Sequence, residues 1–186
     1  MFWSGAGRHL LESYHSGGWP GPLDTTTSFG LGTATSGPGN AVGDDNQQFL
    51  FRLSADGCIE EVNLTNHWAC CYDFPGWGTA TSAPVVAADP GNDDQCLFWR
   101  GSCGYVHEAW YGGSWHCCSD FTSWSTAAAA PAVAVDPGND DQYVFWRGTD
   151  GYLRETSHGG GWIGPTTMTS CEQTSSTPLV ESHSER

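Results

Sequence analysis

The chain has 186 residues, and its 25 glycines, 10 prolines and 10 tryptophans are typical of short strands joined by tight turns. Its formal net charge is −15, with 21 acidic residues and only six basic ones, all of them arginine. Such a surface repels nucleic-acid backbones and anionic membranes, which excludes both as favoured partners. The most apolar stretch, residues 127–135, is too short to span a membrane, and no signal peptide is visible at the start of the chain.

Four sequence markers recur along the chain in one register. A phenylalanine is followed ten residues later by a glutamate, the glutamate is followed seven residues later by a tryptophan, and a proline comes next. The markers are Phe2, Phe51, Phe98 and Phe145; Glu12, Glu61, Glu108 and Glu155; Trp19, Trp68, Trp115 and Trp162; and Pro38, Pro84, Pro131 and Pro178. This periodicity predicts four copies of one structural unit. We number them units 1 to 4, at residues 1–37, 38–83, 84–130 and 131–177, with 178–186 following.

Unit 1 opens on Phe2-Trp3, which corresponds to the second strand of the later units. Unit 4 shows the predicted elements most clearly. The alanine run before it, residues 127–130, has a helical composition, but Pro131 ends it. The predicted elements of unit 4 are a strand at 131–135, a turn at 136–141, an aromatic strand at 143–147, a hairpin turn at 149–151, a return strand at 152–155, and a glycine-rich turn at 159–161 that leads into a fourth strand.

Four strands per unit at this period predict an all-β fold of the β-propeller type, with each unit forming one blade. The chain begins at a second strand and reaches a first-strand motif at residues 177–180. We therefore expect the last strand to pair beside Phe2-Trp3, complete one blade and close the ring, which removes two exposed sheet edges. A four-bladed ring in one chain, a larger ring from two chains and a part of a longer propeller are all compatible with the repeat.

The block at residues 144–153, followed by 160–165, resembles the tandem-repeat propeller lectins of the PLL-like kind and repeat modules of secreted bacterial hydrolases. It is more distantly similar to the fucose-binding propeller lectins, in which a blade supplies an arginine, a glutamate and a tryptophan. Glu155 and Trp162 match the last two, whereas the arginine position falls near Val144. The resemblance implies a propeller that binds sugars in pockets between neighbouring blades.

Carboxylates and arginines can fix the hydroxyl groups of a sugar, and an aromatic ring can cover its C–H face. The alternative is that the tryptophans form the blade core while the glutamates cap turns or pair with arginine. We expect units 3 and 4 to bind best, and unit 2, which carries Arg52 and Leu53, to bind worst. The candidate ligand-binding residues are Glu12, Glu61, Glu108, Glu155, Trp19, Trp68, Trp115, Trp162, Trp99, Trp146, Arg100 and Arg147.

The sequence predicts neither a metal site nor a cofactor. The acidic runs at 89–94 and 136–141 have turn chemistry and lack the spacing of a calcium loop. Of the eight cysteines, only the pairs at 70–71 and 117–118 share a place in the repeat, so we expect local disulfides rather than a network repeated from blade to blade. No catalytic motif is present. Four equivalent glutamates favour binding sites over an acid–base pair, which needs two different environments.

We therefore expect a single repeat domain, residues 1–186, that acts as an extracellular lectin. Its similar weak sites would bind glycans, neutral sugars rather than acidic ones, and would gain strength through multivalency. Assembly into a homo-oligomer is compatible with this expectation. One alternative is a protein-interaction propeller with no sugar role, in which the repeated glutamates and tryptophans are wholly buried. The other is a glycoside hydrolase or its accessory module, with one asymmetric cleft and two close carboxylates.

Overall fold

The computed structural model consists mainly of antiparallel strands. It describes residues 1–13, 18, 21–42, 48–64, 68–88, 95–121, 124–136, 141–168 and 176–178. Four sheets follow one another along the chain, and the strands of each sheet hydrogen-bond in chain order. None of the helices in these ranges is long and apolar enough to cross a membrane.

Each sheet falls within one of the four units. The strands are β1 (Phe2–Ser4), β2 (Leu10–Glu12) and β3 (Leu23–Asp24) in unit 1; β4 (Gly39–Val42), β5 (Gln48–Leu53), β6 (Ile59–Leu64) and β7 (Trp68–Asp73) in unit 2; β8 (Val85–Ala88), β9 (Gln95–Arg100), β10 (Val106–Tyr111) and β11 (Trp115–Asp120) in unit 3; and β12 (Ala132–Val135), β13 (Gln142–Arg147), β14 (Leu153–His158) and β15 (Trp162–Thr167) in unit 4.

The spacing of ten residues between the repeated phenylalanine and glutamate is set by a hairpin register. In each unit the two residues lie directly opposite each other on neighbouring strands. The pairs are Phe2 with Glu12, Phe51 with Glu61, Phe98 with Glu108, and Phe145 with Glu155. Three of these hairpins turn at a glycine with φ near 86°, a left-handed conformation that residues with a side chain rarely adopt: Gly57, Gly104 and Gly151.

The spacing of seven residues between glutamate and tryptophan also reflects strand pairing. In units 2 to 4 the repeated tryptophan begins the fourth strand and pairs with the last residue of the third: Leu64 with Trp68, Tyr111 with Trp115, and His158 with Trp162. The register of each pair of strands shifts immediately after the glutamate. In each of these units the fourth strand carries the extra residue, so the β-bulge bends that strand and redirects the side chains beside it.

The hydrophobic core lies between neighbouring sheets. The first strands of units 2, 3 and 4 lie side by side, β4 beside β8 and β8 beside β12. Gly39 approaches the next unit so closely that a Cβ atom there would lie 2.7 Å from the Pro84 carbonyl oxygen. Large members of the core clusters are Phe51, Trp77 and Trp99 between units 2 and 3; Phe98, Trp124 and Trp146 between units 3 and 4; and Leu10, Leu31 and Leu50 between units 1 and 2.

One short helix, α1 (Thr25–Phe29), was not expected from the sequence. Threonine is a poor helix former, but the Asp24 carboxylate accepts a hydrogen bond from the Thr27 backbone N–H and caps the first turn. Gly30 then ends the helix in the left-handed conformation, with φ 68°. Two three-residue 3₁₀ segments, Ala6–Arg8 and Pro75–Trp77, complete the named elements.

The expectation of an all-β chain with little helix is confirmed by these four antiparallel sheets. Unit 1 has three strands in its described sheet, which agrees with the expectation that it opens on the second strand of the repeat. The predicted closing strand at residues 177–180 lies largely outside the described residues, since only Thr177 and Pro178 of it are described. Ring closure and the number of blades therefore stay predictions.

Candidate functional site

At two boundaries between units, the repeated tryptophan of one unit donates a hydrogen bond to the repeated glutamate of the unit before it. Trp115 Nε1 lies 3.0 Å from Glu61 Oε2, and Trp162 Nε1 lies 3.1 Å from Glu108 Oε2. Both pairs are separated by 54 residues, which is one repeat period plus seven. We call them the 2/3 junction (Glu61 and Trp115) and the 3/4 junction (Glu108 and Trp162).

Aromatic rings fix the orientation of the tryptophan at both junctions. At the 3/4 junction Trp162 meets Phe98, Phe121 and Trp124 edge-on, with ring centroids 5.8, 5.1 and 5.3 Å away. Phe121 and Trp124 stack on each other at 3.6 Å. Edge-to-face packing of this kind holds an indole ring in one orientation, so its N–H stays directed at the carboxylate.

The 2/3 junction repeats this arrangement one period earlier in the chain. Trp115 meets Phe51, Phe74 and Trp77 edge-on at 5.5, 5.4 and 5.2 Å. Phe74 and Trp77 stack at 3.7 Å. The two junctions are therefore equivalent in both their hydrogen bond and their aromatic surroundings.

The carboxyl group of Glu108 is strongly affected by its surroundings. Glu108 is 7% exposed. Burial raises the pKa of its carboxyl group from 4.5 to about 7, although the hydrogen bond from Trp162 lowers the pKa. At neutral pH both the protonated and the ionised form are therefore present. The carboxyl group can accept hydrogen bonds in both states and can donate one when protonated, which suits recognition of a neutral hydroxyl group.

Two of the predicted tryptophans lie in the core. Trp99 and Trp146 are 0% exposed and stack on Trp77 and Trp124, with ring centroids 5.7 and 5.8 Å apart. They offer no surface to a ligand in this structure, because large aromatic side chains that alternate along a central strand fill the space between sheets. Trp99 and Trp146 are therefore not part of the surface of either junction.

The remaining predicted residues are placed as follows. Arg100 donates from Nε to the Ala127 carbonyl oxygen at 2.7 Å and from an Nη atom to Thr81 Oγ1 at 2.7 Å, so it ties loops together. Arg147 ends β13 and is partly buried. Glu12 is buried and Glu155 is partly buried. Trp68 begins β7, but its side chain and the whole of Trp19 lie outside the described part of the chain.

Several residues of the junctions were not predicted. The stacked pairs Phe74–Trp77 and Phe121–Trp124 share a Phe-x-x-Trp spacing that recurs after 47 residues, and this repeated motif could have revealed them. An exposed tryptophan, Trp110, lies two residues after Glu108 on β10. The corresponding positions hold Tyr14, Asn63 and Ser157, so no single residue type recurs there and a search for repeats passes over it.

The cysteines differ from one another in state. Cys117 is disulfide-bonded, whereas Cys103 is a free thiol. Cys103 Sγ lies 3.2 Å from His107 Nε2. Within the described ranges, histidine, cysteine, aspartate and glutamate side chains form no group of three or more that could hold a metal ion.

Comparison with solved structures identifies the fold. The chain is similar to the fucose-recognising lectin of Aleuria aurantia, a six-bladed β-propeller, with a TM-score of 0.64, 20% identity, and coverage of 88% of this chain and 53% of that one. It is similar to AofleA from Arthrobotrys oligospora, with a TM-score of 0.56, 17% identity and coverage of 70% and 41%. It is also similar to a fucose lectin from Kordia zhangzhouensis, with a TM-score of 0.52, 18% identity and coverage of 72% and 98%.

These similarities show a β-propeller fold, and they confirm the resemblance to propeller lectins, here through the fucose-binding group. The chain spans about half the length of the Aleuria aurantia lectin. No protein-family model matches the chain, and no curated protein sequence matches it.

Proposed function

We propose that the chain is a carbohydrate-binding lectin without enzymatic activity, whose sites lie at the junctions between units. The observation that carries the proposal is the bond between repeated tryptophan and repeated glutamate, which is formed in the same way at the 2/3 and 3/4 junctions. A contact that joins two units and recurs with them creates equivalent grooves, and equivalent grooves suit repeated binding of one kind of ligand.

The groups at each junction match the surface of a sugar. The carboxylate has two oxygens with several acceptor positions, of which the indole N–H occupies one. Hydrogen bonds to such a charged group are stronger than those between neutral groups. The indole rings of Trp115 and Trp162, which are only partly buried, offer aromatic surface that can cover the C–H side of a pyranose ring.

A neutral sugar fits these junctions better than an acidic one. The net charge of −15 repels anions, and each junction places a carboxyl group where the ligand would lie. The similar structures are described as fucose lectins, which supports a sugar ligand. Fucose is one neutral sugar to test, although the arginine of fucose-binding propellers has no match near Val144.

One observation favours the protein-interaction alternative. Glu108 is 7% exposed, so its carboxyl group could serve only to hold units 3 and 4 together through Trp162. Glu61, Trp115 and Trp162 are only partly buried, which leaves part of each junction open to solvent. The glycosidase alternative receives less support, because each junction brings one repeated glutamate, rather than two, to its tryptophan.

The test combines a glycan array with calorimetry on two single variants. We expect the array to show binding to neutral glycans. Calorimetry should give dissociation constants in the millimolar to micromolar range, which correspond to binding free energies of roughly −4 to −8 kcal/mol per site. Measured at pH 8, above the pKa of Glu108, Glu61→Gln and Glu108→Gln should each weaken one class of site by about tenfold or more, because a hydrogen bond to a charged acceptor is lost. Asp150→Asn, which weakens the ion pair with Arg154 in a hairpin turn, is the control and should leave binding unchanged.

Binding that is unchanged in both glutamine variants would show that the glutamates are structural. We further propose that the protein acts outside cells on glycan-bearing surfaces, without a cofactor. Closure of the ring by residues 178–186, or assembly into a homo-oligomer, would add junctions of the same kind.

A further inference from the structure

We propose that the 3/4 junction continues into a second subsite, in which Trp110 forms a platform for the next sugar residue of an oligosaccharide. The inference rests on the proposed function and adds a ligand class to it. The 3/4 junction would prefer a chain of at least two neutral sugars, whereas the 2/3 junction would bind a single terminal residue.

Trp110 lies on the same face of its sheet as Glu108. The two residues are two positions apart on β10, and side chains at such positions point to the same side of a strand. The pairing of β10 with β9 runs without interruption from Val106 to Tyr111, so the alternation holds over this stretch. Two residues of strand correspond to roughly 7 Å, a distance comparable with one step along a sugar chain.

This face is the one directed at unit 4. Cys96 lies directly opposite Trp110 on β9, and its sulfur accepts a hydrogen bond of 2.9 Å from Gln142 Nε2 on β13. Phe98, which lies opposite Glu108, contacts Trp162 of unit 4. Trp110 therefore stands at the rim of the groove that contains Glu108 and Trp162.

The ring of Trp110 is both exposed and held in place. It is 42% exposed, although its strand is otherwise largely buried. His116, its partner across the strand pair, stacks on it with centroids 4.0 Å apart and an interplanar angle of 17°. A fixed aromatic surface loses little conformational freedom when a ligand binds, and it can cover the C–H face of a sugar.

Among units 2 to 4, the platform belongs to unit 3 alone. The residues that correspond to Trp110 are Asn63 in unit 2, Ser157 in unit 4 and Tyr14 in unit 1, which lies outside the described residues; those that correspond to His116 in units 2 and 4 are Ala69 and Ile163. A tryptophan kept exposed where units 2 and 4 carry small polar residues points to a contact that their own residues do not offer. A sugar chain suits it better than a protein, because the adjoining groove already presents the carboxyl group and indole of the primary site.

The test measures mono- and disaccharides by calorimetry on the whole chain. The probes are two matched pairs, each of a monosaccharide and a disaccharide that carries the same terminal sugar. The first pair is methyl α-L-fucoside and Fucα1-6GlcNAc, and the second is methyl β-galactoside and lactose. Trp110→Ala should weaken the disaccharide at one site by about tenfold and leave the matching monosaccharide within twofold. Trp110→Phe should recover part of the loss. Ile163→Ala removes an exposed apolar side chain from the place in unit 4 that corresponds to His116. It should leave both mono- and disaccharide binding unchanged.

The outcomes separate the inference from the proposed function. If Glu108→Gln weakens sugar binding but Trp110→Ala leaves disaccharide binding intact, the second subsite is wrong and the lectin function stands. If Trp110→Ala weakens mono- and disaccharide equally, Trp110 supports the primary site and the inference is overturned. If no probe and no glycan of the array binds the unaltered chain, the proposed function fails, and the subsite fails with it.

Discussion

Glu108 is the residue whose ionisation should most affect stability. Its folded-state pKa of about 7 lies above the ordinary value of 4.5, so between these pH values the folded state binds more protons than the unfolded state. The free energy of unfolding must then fall as pH rises through this window, by up to roughly 3 kcal/mol. Glu108→Gln should remove this part of the pH dependence, and it should make the protein more stable than the unaltered chain at pH 8.

Urea unfolding at pH 5, 6, 7 and 8 measures this effect. Glu155→Gln is the matched control, because Glu155 occupies the same place in unit 4 but is less deeply buried. Equal flattening of the profile in both variants, or a Glu108→Gln protein that is less stable at pH 8, would contradict the assignment. In that case the pH dependence would belong to other groups.

At the scale of the strands, the chemistry of one cross-strand pair differs from unit to unit, and between units 2 and 3 both of its residues change. Arg52 pairs with Glu60, Trp99 with His107, and Trp146 with Arg154. In unit 2 the pair is ionic, with Arg52 Nε 2.6 Å from Glu60 Oε2. In unit 3 it is a stack of Trp99 on His107, with centroids 5.6 Å apart. This difference suggests the hypothesis that the two positions are coupled.

This observation predicts the behaviour of variants of the ionic pair. Arg52 is 1% exposed, and it also donates to the Gly32 carbonyl oxygen. Arg52→Trp alone should destabilise the protein by about 3 kcal/mol or more, because it leaves Glu60 without its buried cation. The double variant Arg52→Trp, Glu60→His reproduces the pair of unit 3 and should lose clearly less.

A double-mutant cycle of unfolding free energies, completed by Glu60→His, measures this coupling. Additive losses would show that the two positions respond independently and that the different pairs are unrelated solutions. As a control, the conservative Arg52→Lys keeps the charge but not the forked geometry of the guanidinium. It should fall between the unaltered protein and Arg52→Trp.

The strand scale also explains what the sequence could predict. The spacings of ten and seven residues reflect hairpin register, and register is local, so the repeat was enough to predict antiparallel sheets and the equivalence of the glutamates. The repeat could not show that Trp115 hydrogen-bonds to Glu61 of the previous unit instead of Glu108 of its own unit, since that contact depends on how the sheets pack against each other. For the same reason, the sequence could not show that Trp99 and Trp146 are buried in the core.

At the scale of the whole molecule, repetition of the junction should matter more than the strength of any one site. Two equivalent junctions are described, one on each side of unit 3. On a surface dense in glycans, the second binding event becomes intramolecular, so the combined affinity can exceed that of a single site by about 10² to 10⁴. The weak sites proposed here would bind firmly only to such surfaces.

This difference gives the last prediction. In calorimetry with a monovalent sugar, Glu61→Gln and Glu108→Gln should each remove one class of site, and the double variant should show the sum of the two losses. On a sensor surface coated densely with the same sugar, each single variant should lose a larger share of the apparent affinity than in calorimetry, because loss of either site reduces the number of sites that can engage simultaneously. Repeating the measurement at sparse coating is the control, and there the difference between unaltered chain and single variants should shrink to that seen in calorimetry. Equal losses at dense and sparse coating would show that the junctions act independently and that multivalency does not operate.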